Sequence, residues 1–130
     1  SGATAVIEGC GSNGCEYMTG GNTIILGEIG DNFAAGMTGG MAFIYDIKNN
    51  FEKKVNPESV VWQKPETKYW IYFLKNLIQI HVKETNSLYA KKILEKFDDE
   101  LINFYQICPK EMLDKLENPI TLKKNVGIAS

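Results

Sequence analysis

Three short apolar runs stand out from a polar, glycine-rich background in the first third of the chain: Thr4-Ala5-Val6-Ile7, Thr23-Ile24-Ile25-Leu26 and Ala42-Phe43-Ile44-Tyr45. Each is too short for a stable helix and is rich in residues that suit a pleated surface. The residues between the runs repeat as well. A shift of nineteen positions lays Gly11 on Gly30, Asn13 on Asn32, Met18 on Met37, Thr19 on Thr38, Gly20 on Gly39, Gly21 on Gly40 and Ile25 on Ile44. A one-residue slip destroys nearly all of these matches.

A fixed period near twenty residues, with β-branched runs between glycines, marks a solenoid whose copies bury their apolar sides against one another. The paired glycines suit corners that need positive φ, and no copy has room for a helix. The pattern therefore predicts a mainly β fold, a right-handed parallel β-helix, with Gly11, Gly20, Gly21, Gly30, Gly39 and Gly40 as its structural glycines. Equivalent positions should stack in ladders: Ala5, Ile24 and Phe43; Val6, Ile25 and Ile44; Ile7, Leu26 and Tyr45; Met18 and Met37; Asn13 and Asn32. Ile24, Leu26 and Phe43 are expected to point into the coil, leaving the other face to take a packed helix. Gly2 to Ile7 matches only the end of a copy. The coil is thus expected to be cut open at its start, with self-association through the exposed edge.

Beyond Asp46 the repeat fades. Phe51, Lys53 and Val55 alternate like a closing strand up to Asn56-Pro57. A helix is predicted from Pro65–Thr67 onward, with Trp70, Phe73, Leu74, Leu77 and His81 on its apolar stripe and Lys68, Lys75, Gln79 and Lys83 opposite. Ser87 is placed to cap a second helix carrying Ala90, Ile93, Leu94 and Phe97 on one side, and Asn86 before it tolerates a left-handed backbone. Leu101, Phe104 and Tyr105 read as a third short helical face. The expected division is 1–62 for the truncated β-helix, 63–109 for a helical extension packed on it, and 110–130 for a loosely ordered tail.

Composition narrows the function. The chain has 130 residues, 44% of them apolar, and a net charge of −2. That size supports one modest core, and that charge argues against a nucleic-acid partner. Every basic residue is Lys, which removes bidentate guanidinium clamps. The longest apolar stretches fall far short of a membrane span. Cys10, Cys15 and Cys108 are odd in number and lack C-x-x-C spacing, so they imply neither a disulfide framework nor a metal site and suit a reducing cytoplasmic or plastid setting.

Gly9-Cys10-Gly11-Ser12-Asn13-Gly14 spells G-x-G-x-x-G after a strand-like run, the pattern of a dinucleotide-binding turn. That mechanism needs a helix to meet the pyrophosphate, whereas this chain reaches Gly20-Gly21 within a few residues and returns to a strand pattern. His81, the single histidine, sits on an apolar helical stripe with no acidic or nucleophilic companion at useful spacing. It reads as a packed core histidine. Glu8, Glu16, Glu28 and Asp31 read as corner residues that accept from neighbouring amides. No catalytic, cofactor-binding or metal residue is assigned.

Glu8 to Gly21, followed by Asn32-Phe33-Ala34-Ala35-Gly36-Met37-Thr38-Gly39-Gly40-Met41-Ala42, resembles the glycine-rich C-terminal (GXGXG) domain of glutamate synthase large subunits. Phe51 to Glu58, Leu77-Ile78, His81 and Thr85-Asn86-Ser87 continue the resemblance, which covers about residues 1 to 109. Cys10 and Asn86 stand where that family usually has an aliphatic residue and a glycine. The resemblance implies a non-catalytic domain that scaffolds the amidotransferase and synthase domains of the same large subunit. It also implies FMN and an iron–sulfur cluster in those other domains and none here, together with a small electron-donating subunit or domain. A β-helix subunit of another oxidoreductase, such as formylmethanofuran dehydrogenase, and a dinucleotide-binding module are the alternatives.

Overall fold

The computed structural model describes residues 4–8, 19–27, 39–47, 51–58 and 60–115. The three apolar runs become strands: β1 (Thr4–Ile7), β2 (Thr19–Ile25) and β3 (Gly39–Tyr45). A single helical turn, α1 (Phe51–Lys54), and a short strand, β4 (Val60–Gln63), follow. The long helix α2 (Lys68–Thr85) leads to α3 (Leu88–Glu95), the turn α4 (Phe97–Glu100) and the strand β5 (Phe104–Pro109). The described strands form one five-stranded sheet in the order β1-β2-β3-β5-β4.

This sheet overturns the expected right-handed parallel β-helix. β1, β2 and β3 do pair in parallel, but β5 then adds antiparallel to β3, and β4 adds antiparallel to β5. The result is an open mixed sheet with helices against it. Parallel pairing at a nineteen-residue period is compatible with either architecture. The two antiparallel strands, drawn from a region with no repeat, decide between them. The sheet takes strands from both sides of residue 62, since β4 runs across that position and β5 lies well beyond it.

Register follows the repeat in one pair and departs from it in the other. Between β2 and β3, Ile24 lies beside Phe43 and Ile25 beside Ile44, as the nineteen-residue shift predicts. Between β1 and β2, Val6 lies beside Ile24 and Ala5 beside Thr23, one position away from the expected ladder. A one-residue slip exchanges the faces of a strand. Here it sets branched Val6, rather than a single methyl, against the main core. An irregularity between Thr19 and Asn22 inserts one extra residue in β2, where Gly21 has φ 81°; Gly40 in β3 has φ 82°. A side chain at either position would strain that left-handed backbone. Gly11 and Gly30, and the Met18–Met37 and Asn13–Asn32 ladders, lie outside the described residues.

Both sheet faces are covered. On one, Ile24, Leu26, Met41, Phe43 and Tyr45 meet Trp70, Leu74 and Ile78 of α2 and Ala90 and Ile93 of α3. On the other, Ile25, Ala42 and Ile44 meet Phe51, Val55, Val60 and Ile107. The strand residues therefore read as continuous apolar runs rather than alternations. The long helix covers the Ile24 and Phe43 face, the opposite of the expected arrangement. The Ile25 and Ile44 face, to which Val60 of β4 and Ile107 of β5 also belong, receives Phe51 of α1 and Val55.

Two further expectations are corrected. Phe51–Lys54 is a helical turn, not a strand, closed by Val55 N donating to Phe51 O at 3.0 Å, while Phe51 N donates to Asp46 Oδ2 at 3.0 Å. Residues four apart share a face in a helix and also in a strand, so two apolar ends cannot tell the two apart. Phe104 and Tyr105 begin β5 instead of continuing a helix, after a 3₁₀ turn at Leu101–Asn103. A second 3₁₀ segment covers Lys110–Lys115, and the rest of the tail lies outside the described residues.

Candidate functional site

α2 and α3 are joined by a tight turn. Asn86 closes α2 in the left-handed region at φ 57°, and its N–H donates to Val82 O. Ser87 caps α3, with its Oγ accepting from Ala90 N at 3.1 Å. Thr85 Oγ1 donates to His81 O at 2.7 Å and accepts from Ser87 N at 3.3 Å. These bonds fix the side chains of His81 and Ser87 toward the end of β1, where Glu8 follows Ile7. Glu8 Oε2 takes both donors, His81 Nε2 at 2.9 Å and Ser87 Oγ at 2.5 Å. An ionised carboxylate only accepts, so His81 presents its proton on Nε2.

This cluster corrects the picture of His81 as a core residue without an acidic companion. Its side chain is 12% exposed and its partner lies 73 positions away in sequence. Glu8 accepts from two side chains, not from corner amides. The bond from His81 and then that from Ser87 hold the Glu8 carboxyl below its ordinary range, against a smaller opposing effect of burial. Chemically this is a clamp. Ser87 directs its proton to Glu8 and not to the imidazole, so hydroxyl and base are not paired as nucleophilic catalysis requires.

The clamp gives a prediction. Ser87→Ala removes a cap and one of the two donors to Glu8, and should destabilise the chain by about 1 kcal/mol. A lowered carboxyl pKa stabilises the fold above the unfolded value and loses that contribution as pH falls through the folded value. Side-chain NMR titration of Glu8 should accordingly show its pKa rising toward the ordinary range in Ser87→Ala. An unchanged Glu8 titration would mean the hydroxyl does not bond to it.

A second polar cluster lies at the same end of the parallel strands, at the ends of β2 and β3. Tyr45 Oη donates to Glu100 Oε1 at 2.7 Å, Asn103 Nδ2 donates to the same oxygen at 2.9 Å, and Tyr89 Oη donates to Leu26 O at 2.7 Å. The two phenols open on a cleft of about 520 Å³ shared with Lys92, Lys96 and Glu100. Burial, followed by the Glu100 carboxylate, raises the Tyr45 pKa, and burial raises that of Tyr89, so both remain neutral donors.

Gln106 is fully buried between Phe104 and Cys108 on the helix-facing side of β5. Its Nε2 reaches Met41 Sδ at 3.5 Å, and its Oε1 has no partner among the described residues. Cys108 is likewise buried, and desolvation pushes its thiol up to about 11. A thiol held protonated is the opposite of what a metal or cluster ligand requires. Among the described residues no three His, Cys, Asp or Glu side chains gather as a metal site. No helix among them is long and apolar enough to cross a membrane. Cys10, Cys15 and the Gly9–Gly14 motif lie outside the described residues.

Comparison with known proteins is consistent in direction. The family model described as "GXGXG motif" matches residues 1–110. The chain is 54% identical over 127 residues to the glutamate synthase [NADPH] large chain of Azospirillum brasilense, covering 98% of this chain and 8% of that protein. It is 45% identical over 124 residues to the glutamate synthase [NADH] of Schizosaccharomyces pombe, covering 95% and 6% respectively. It is 45% identical over 115 residues to the chloroplastic ferredoxin-dependent glutamate synthase 2 of Arabidopsis thaliana, covering 88% and 7%. The chain thus spans less than a tenth of the length of these relatives. It belongs to the GXGXG-motif family, and the relatives it resembles are glutamate synthases.

Proposed function

We propose that this chain serves as an architectural domain of a glutamate synthase, holding the domains that split glutamine and reduce the product of ammonia addition in a fixed arrangement. The observation that carries this reading is the 54% identity over nearly the whole chain to a small part of a far longer glutamate synthase. The fold suits the task. A sheet buried on both faces and tied at its β1 end to the α2–α3 turn is a rigid spacer. On this reading FMN, the iron–sulfur cluster and the electron-donating partner belong to other domains, and the enzyme works in the cytoplasm or a plastid. Cys108, protonated within the core, agrees with cluster ligands lying elsewhere.

Two measurements test the proposal. The isolated chain should show no turnover of glutamine with 2-oxoglutarate, and measurable turnover would overturn a purely architectural role. Removing it from the full-length enzyme should uncouple the two half-reactions, so that ammonia from glutamine hydrolysis escapes to solution. Retained coupling after its removal would also count against the role. The outer edge of β1, the first strand in the sheet order, carries a related expectation. Among the described residues no strand pairs with that edge, and an unpaired edge promotes association, so the isolated chain should self-associate with rising concentration in light scattering.

A further inference from the structure

α2 buries one face in the core and turns a second, partly apolar face outward. The outward stripe is Tyr69, Tyr72, Asn76 and Ile80, spaced three and four apart so that they align along the helix. Tyr72 is 74% exposed, Tyr69 48% and Ile80 43%. Tyr69 is held in place, edge-on to Trp70 at 4.9 Å and stacked with Phe73 at 6.4 Å. An open groove of about 480 Å³ runs beside the two tyrosines and is lined by Phe73, Lys75, Asn76 and Gln79. The helix carries three lysines, Lys68, Lys75 and Lys83, and a single carboxylate, Glu84 in its last turn, in a chain whose net charge is −2. Among the described residues the other large exposed apolar side chains, Ile47, Leu88, Tyr89, Ile102 and Leu113, all lie off α2, and only Leu88 and Tyr89 share an element.

We propose that this outward stripe of α2 is a docking surface for an acidic, apolar-centred face of another domain of the same longer polypeptide. The proposal rests on the architectural reading above and assigns its contact surface. Exposed tyrosines supply large contact area with few rotatable bonds, and a pre-positioned Tyr69 loses little freedom on binding. Lysines around an aromatic centre, with no carboxylate between them, select a carboxylate-rich counterpart. The relatives are more than ten times the length of this chain, so the partner surface is tethered to it. Tethering raises the effective concentration enough for one helix face to suffice.

The test uses the full-length enzyme with p-benzoylphenylalanine in place of Tyr72, and in separate preparations of Leu88 and of Ile102. Photolysis at Tyr72 should join it to an Asp/Glu-rich peptide of the same polypeptide outside these 130 residues, with a yield that falls several-fold in high salt. Two results would overturn the assignment of this surface while leaving the architectural reading in place: a Tyr72 crosslink to a second copy of the chain, or inter-domain crosslinks from Leu88 or Ile102 alone. No inter-domain crosslink from any of the three positions would overturn both.

Discussion

Phe43→Ala should destabilise the chain by about 3–5 kcal/mol, the largest effect expected of a single substitution here. Phe43 is fully buried at the centre of the sheet, with Ile24 beside it on β2 and Gln106 on β5. Its ring lies 6.2 Å from Trp70 and 6.1 Å from Phe73, so it is the point at which sheet and long helix meet. Truncation removes the transfer free energy of the ring and leaves a cavity between two elements that cannot both close on it. Urea denaturation should show a lower midpoint with little change in slope, because the surface exposed on unfolding stays nearly the same. A loss below about 1 kcal/mol would mean that the helix repacks freely and that the sheet–helix contact is not built around this residue.

Gln106→Met should change stability in the opposite direction, raising it by about 1–3 kcal/mol. Among the described residues the carbonyl oxygen of Gln106 is buried without a donor, and its amide makes a long contact with a thioether. Methionine has a similar length and no group to leave unsatisfied, and the site is already lined by Met41, Phe104 and Cys108. The same denaturation experiment reads the result. A less stable variant would show that an ordered water or a neighbouring surface satisfies Oε1 in solution.

The two substitutions fall where the sequence was most and least legible. Phe43 was visible as a core residue because its run repeats at a fixed period, and the pairing of Ile24 with Phe43 and Ile25 with Ile44 follows from that period alone. Ser87 as a cap and Asn86 as a left-handed residue were legible for a similar reason, since each acts through atoms a few positions away. β5 was not. Phe104 to Cys108 is buried on both faces, so the alternation that would mark a strand is absent, and a glutamine at its centre imitates a solvent-facing residue. β4 is too short to show a period. The architecture was misread for the same reason. The repeat dictates parallel pairing of three strands, but what closes their free edge lies in a segment that shares no pattern with them.

The Glu8 clamp escaped notice on a different ground. His81 sits beside apolar neighbours on α2, and the carboxylate nearest to it in sequence, Glu84, is not the one it bonds. Its partner comes from the end of β1, and only the tertiary fold brings the two together.

The placement of β5 between β3 and β4 also sets an order of events during synthesis. Ile44 pairs with Tyr105, 61 positions later, so the outer edge of β3 must wait for that much further chain to be made. At ~5–20 residues per second this interval is about 3–12 s, long compared with the microseconds in which a hairpin forms. Throughout it Phe43 and Ile44 lack their final neighbour, and the nascent chain presents an apolar strand edge to the ribosome surface and to any chaperone waiting there.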